Sequence, residues 1–98
     1  MFWEVDVYEE DDGSSPVEDF FDALTDKPLG KIIQVMRLLK ERGPHLAFPF
    51  SSQVEGKLRE LRVQHGKDQY RILYYGDLNR VFVLLHAFRK RRVQPRYV

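Results

Sequence analysis

From Val17 onward the apolar residues of this chain change their spacing once, at Gly43-Pro44, and that change limits the fold more than any other feature. Before the break they recur every three or four positions: Val17, Phe20, Phe21 and Leu24, then Leu29, Ile32, Ile33, Met36 and Leu39. After it they alternate with polar residues, in LRELRV, QYRILYY and RVFVLLH. A helix turns once in 3.6 residues and a strand once in 2, so each half can hold one apolar side only as helix first and strand second. Amphipathic helices this short are not stable alone in water, so their stripes must rest on the sheet. The expected class is α+β: an N-terminal strand, a helical hairpin, then an antiparallel sheet.

Local signals place the elements. FWEVDVYE, residues 2–9, alternates with Trp3, Val5 and Val7 on one face, which predicts the first strand. The acidic run Glu9–Asp12 leads into Gly13 and reads as a solvated turn. Ser15 is placed as an N-cap, with Pro16 at the first helical position and Glu18 completing a capping box. Thr25, Asp26 and Pro28 restart a second helix, which Gly43 and Pro44 stop. Residues 45–56 form a connector with a short strand near Gln53–Glu55. Strands follow at 57–64, 69–75 and 80–86, separated by HGKD and GDLN, both suited to hairpin turns. The tail 87–98, AFRKRRVQPRYV, reads either as an ordered edge or as a mobile basic arm.

Several classes are set aside. A length of 98 residues allows one domain with one core, so 1–98 is read as a single unit. No apolar run approaches the roughly 18 residues of a membrane span, and the N-terminus lacks the pattern of a secretory signal. The chain has no cysteine, which fits a reducing compartment, and a cytoplasmic location is expected. Glycine-rich phosphate loops, HExxH, Cys-His clusters and G-x-S-x-G are absent, and the three histidines lack metal-ligand spacing. Neither a metal nor another cofactor is expected.

The formal net charge of +1 hides a division along the chain: residues 1–55 carry five bases against twelve acids, and residues 56–98 eleven against three. Such asymmetry points to a positive field presented to a polyanion, with pairing between the two halves as the plainer alternative. Splitting the strands by alternation puts Leu61, Val63, Ile72, Tyr74, Val81, Val83 and Leu85 on the floor beneath the helices. The other face then receives Leu58, Glu60, Arg62, Arg71, Leu73, Tyr75, Phe82, Leu84 and His86. Arg62, Arg71 and His86 are the candidate catalytic residues. Two arginines can grip a phosphate through paired hydrogen bonds, and a histidine can exchange a proton near neutral pH. The plainer readings are exposed cross-strand ion pairs for the arginines and a backbone-bonded histidine at the strand end. Aromatics interleaved with the cations, including Tyr70, Tyr74, Tyr75, Phe82 and Phe88, suit stacking on unpaired bases, although most also suit a core.

With these residues placed, the chain resembles the RelE/ParE superfamily of bacterial toxins, most closely its phage-derived, HigB-like branch. The resemblance runs over roughly residues 15–90 and rests on SPVEDFFDAL, LLKERGPHL, VEGKLRELRV, DQYRILYY and VFVLLHAFRK, in that order. It implies a toxin neutralised by a cognate antitoxin, often a helix-turn-helix protein, so that operator DNA is met only through the antitoxin. HigB-like and RelE-like members cut messenger RNA in the ribosome, whereas ParE-like members inhibit DNA gyrase without a catalytic step. By position, the family's ELR arginine is Arg62, its YR arginine is Arg71, and its H-x-F-x-K segment is His86, Phe88 and Lys90. On this reading Arg62, Arg71 and His86 act on the phosphate. Lys57, Arg59, Tyr74, Phe88, Arg89, Lys90, Arg91 and Arg92 contact RNA or the ribosome. Relatives often continue into a C-terminal helix, and some place a tyrosine near the site, where this chain has RRVQPRYV and Phe88. The alternatives are a gyrase inhibitor of the same fold and a decayed toxin that only binds.

Overall fold

The computed structural model describes residues 2–91. The elements run β1 (Glu4–Val7), α1 (Pro16–Asp22), α2 (Asp26–Arg42), a 3-10 turn (Gly43–His45), β2 (Ser51–Glu55), β3 (Leu58–His65), β4 (Asp68–Gly76) and β5 (Val81–Arg91). One five-stranded sheet has the order β1-β5-β4-β3-β2. The meander β2 to β5 is antiparallel, and β1 joins β5 in parallel, from Glu4 beside Val81 to Val7 beside Leu84. A parallel neighbour requires a long connection, which the two helices and the meander supply.

Both helices start where the sequence signals them. The Ser15 hydroxyl accepts the backbone N–H of Glu18 at 3.2 Å, with Pro16 at the first helical position. Thr25 caps α2 by backbone position alone, without a side-chain hydrogen bond. At the other end Gly43 has φ +57, and a Cβ there would lie 2.6 Å from the Trp3 indole nitrogen. Backbone conformation and close approach therefore both require glycine at the point where the spacing changes.

The core lies between the helices and one face of the sheet. Val17, Ile32, Val35 and Leu39 meet Leu61, Val63, Tyr70, Ile72, Tyr74, Phe82, Leu84 and Ala87. α1 rests on β5 and α2 on β3; Phe20 meets the Tyr70 ring edge-on at 6.2 Å, and Trp3 stacks on Phe82 at 4.4 Å. The buried line of α2 is Pro28, Ile32, Val35 and Leu39, whereas Ile33, expected in the stripe, is 47% exposed. Successive helical residues are about 100° apart, so burying Ile32 and Val35 turns Ile33 toward water.

Two further departures concern β5. The strand continues to Arg91, so residues 87–91 of the expected tail pair with β4, from Ala87 opposite Ile72 to Arg91 opposite Asp68. Residues 92–98, among them Arg92 and Tyr97, lie outside the described residues. The register also shifts: Leu73 is opposite His86, but Tyr74 is opposite Leu84, which leaves Leu85 as an extra residue. A bulge of this kind inverts the alternation on one side of it. Phe82 and Leu84 therefore face the helices, the reverse of simple counting, while Val81 and Val83 take the open face. His86, beyond the bulge, keeps the face expected of it.

Candidate functional site

The face of the sheet away from the helices is organised by cross-strand register. Directly opposed residues point to the same side, so the pairings of β3, β4 and β5 define three rows. They are Glu60–Leu73–His86, Arg62–Arg71–Phe88 and Gln64–Gln69–Lys90. Strands lie about 4.8 Å apart and rows about two residues, or 6.7 Å, apart. Arg62, Arg71 and His86 thus sit on neighbouring positions of one open face, on three consecutive strands.

The arginines are held by their neighbours. Arg62 Nη1 donates to Glu60 Oε1 at 3.0 Å. Arg71 Nη2 donates to Gln69 Oε1 at 2.9 Å, while its Nη1 is 3.9 Å from Glu60 Oε1. Glu60 is 8% exposed and also accepts from the Ser52 hydroxyl at 3.3 Å, which ties it to β2. The two guanidinium side chains keep 22% and 20% of their surface, facing out. The Nε of Arg71 is buried and has no hydrogen-bond partner among the described residues. One carboxylate between two guanidinium groups leaves the cluster a net cation, able to receive an anion with donors already oriented. His86 is exposed and its ring lies 6.2 Å from that of Phe88, near parallel. Between the carboxylate and the imidazole lies only Leu73, so the two flank an apolar floor about 10 Å wide, two strand spacings.

In the sequence Glu60 is only one of several residues that alternation puts on the open face, with no role of its own. Its burial beneath the pair makes it part of the site, and the available signal was its position two residues before Arg62 on the same face. Phe48 was also missed. It lies in the turn before β2, 71% exposed, with the Arg62 guanidinium 5.2 Å from its ring centre. No periodicity marks a residue in an irregular connector.

The remaining expected contacts divide among several places. Phe88 and Lys90 are on the open face, and Lys57 is exposed in the turn between β2 and β3. Arg59 is opposite Tyr74 and therefore on the helix side, with Nε donating to the Ser51 hydroxyl at 3.1 Å. Arg89 and Arg91 are on that side too, where Asp68 pairs with them at 3.9 and 3.2 Å. Tyr74 requires a correction: it is 1% exposed, and its hydroxyl is hydrogen-bonded to that of Ser51 at 2.6 Å. A ring enclosed in the core cannot stack on a base. Among the described residues no three His, Asp or Glu side chains gather as ligands for a metal ion. No helix among them is long and apolar enough to cross a membrane.

Comparisons with known proteins bear on the same residues. A family model described as "Phage derived protein Gp49-like" matches residues 19–96, a span that includes all three rows. A chain of the crystal structure of the archaeal RelE–RelB complex from Pyrococcus horikoshii OT3 superposes with a TM-score of 0.61. It is 19% identical and covers 97% of this chain and 100% of its own, a likeness of fold. No curated protein matches the sequence.

Proposed function

The chain belongs to the phage-derived Gp49-like family, and from that premise we propose that it is the toxin of a toxin–antitoxin pair, a ribonuclease that cuts messenger RNA on the ribosome. The observation that carries the reading is the row Glu60–Leu73–His86 lying beside Arg62 and Arg71. A phosphodiester laid over Leu73 and Arg71 would have an anion clamp at one side, a carboxylate at one end and an imidazole at the other.

Each group then has a task. Arg62 and Arg71 hold the non-bridging oxygens and follow the charge that builds on them. The ribose 2′-hydroxyl attacks the adjacent phosphorus and gives its proton to the Glu60 carboxylate. As the bond from phosphorus to the 5′ oxygen breaks, His86 gives a proton to that oxygen. The products are a 2′,3′-cyclic phosphate and a 5′-hydroxyl, so atoms and charge balance. General acid–base steps of this kind contribute about 10² to 10⁴ in rate. Lys57 and Lys90 steer the RNA backbone, and the cations of the helix side, Arg59, Arg89 and Arg91, face ribosomal RNA. The likeness in fold to a chain of a RelE–RelB complex supports an antitoxin as the protein partner.

The test is cleavage of a defined messenger RNA in a reconstituted bacterial translation reaction, with 5′ ends mapped and ribosomes present or omitted. The wild type should cut only with ribosomes, and Arg71→Ala should lose about 10²- to 10³-fold in rate, as when an oriented transition-state donor is removed. Intact RNA with wild-type protein that still arrests growth would exclude the nuclease and direct attention to gyrase.

A further inference from the structure

Beside the arginine face lies a groove of about 550 Å³ that the proposed chemistry leaves unused. It opens where β2 begins and β3 runs on past it, between the Phe48-Pro49-Phe50 turn and Lys31 and Gln34 of α2, with Arg62, Gln64 and Gln69 on its sheet side. We infer that this groove is a nucleobase subsite, seating the base next to the phosphate held by Arg62 and Arg71, with Phe48 as the stacking platform. The inference rests on the RNA-cleaving reading and adds a site that sets how the substrate lies.

Three observations lead there. Phe48 is an apolar ring left 71% exposed, with a guanidinium of the phosphate clamp over it at 5.2 Å. Ring and guanidinium together form the kind of platform on which an unpaired base stacks. The groove shares Arg62 and Gln69 with the clamp, and Gln69 is the residue that orients Arg71. A strand with its phosphate on the arginines therefore enters the groove within one nucleotide. Finally, the charged residues lining the groove are both cations, Lys31 and Arg62, and its polar ones are the amides Gln34, Gln64 and Gln69. Amides offer both donors and acceptors, as reading a base edge requires, and the cations favour a polyanion.

The open edge of β3 would otherwise suit an added peptide strand. There, however, the Lys31 ammonium lies 3.5 Å from the Gln64 carbonyl, an edge group that such a strand would need. An RNA base makes no demand on that carbonyl.

The experiment uses the full chain on programmed ribosomes. The messenger carries 5-iodouridine in the ribosomal A site and 2′-O-methyl groups that prevent cleavage. Irradiation should cross-link the messenger to the Phe48 turn. Stacking of one base corresponds to a loss of about 5- to 150-fold in affinity for this complex in Phe48→Ala, with Phe48→Tyr close to wild type. Because Phe48 is largely exposed, the alanine variant should fold normally. Cross-links confined to other segments, or unchanged affinity in Phe48→Ala, would overturn the subsite while cleavage and its loss in Arg71→Ala stand. A groove filled by a peptide strand would give that result. A wild type that binds no programmed ribosome would overturn both the subsite and the ribonuclease reading.

Discussion

Glu60 shows how one side chain changes meaning with its surroundings. On an exposed strand it would be one half of an ion pair with Arg62 worth at most about 1 kcal/mol. At 8% exposure, with a hydroxyl and a guanidinium already donating to it, it becomes a fixed acceptor under an anion site. Tyr74 is the opposite case, a residue whose type suggested RNA and whose position puts it in the core. Tyr74→Phe removes the hydrogen bond to Ser51 and, by that bond's usual net worth, should cost about 1 kcal/mol in a denaturant titration. Cleavage at saturating ribosome concentration should be unchanged. A large loss of activity at unchanged stability would return the phenol to the site. Residue type and strand alternation together pointed to Arg62, Arg71 and His86, because few side chains grip phosphate or exchange protons near neutral pH. They did not point to Glu60 or Phe48, whose roles arise from burial and from a neighbour fourteen residues away in sequence.

At the scale of elements, the two helices and three hairpin strands follow from local rules, since caps, glycines and periodicity act over a few residues. Which side of α2 is buried was legible only in outline. Ile32→Ala should destabilise the fold by about 2–5 kcal/mol, because Ile32 is fully enclosed. Ile33→Ala, one position on, should stay within about 0.5 kcal/mol, as exposed substitutions usually do. Similar losses from both would mean that the helix is rotated from the orientation described. The bulge at Leu85 was not legible, because a run such as VFVLLH satisfies alternation in either phase. What decides the phase is the fit of Phe82 against Trp3 and Tyr74, contacts made across the whole chain. Without the extra residue, Phe82 and Leu84 could not face the core while His86 faces the arginines.

For the whole molecule, charge is the organising quantity. The cations of residues 56–91 occupy both sides of the sheet: Arg62, Arg71 and Lys90 on the open face, Arg59, Arg89 and Arg91 on the helix side. If both sides meet RNA, affinity for ribosomes should fall with the logarithm of salt more steeply than the open face alone would give, which for three phosphate contacts on a single strand is a slope of about −2. Sedimentation with ribosomes over a series of salt concentrations measures it. A slope near zero would remove the electrostatic basis of the docking proposal.

The sequence by itself determined the class, the order of the elements and the placing of Arg62 and Arg71 on one face. Each of these depends on periodicity and local chain chemistry, which are written in consecutive residues. Only the tertiary structure decided the parallel docking of β1, the extension of β5 to Arg91, the bulge at Leu85, the burial of Glu60 and Tyr74, and the groove beneath Phe48. Those depend on which distant surfaces meet, and the free energy that selects among such meetings comes from packing the entire core at once.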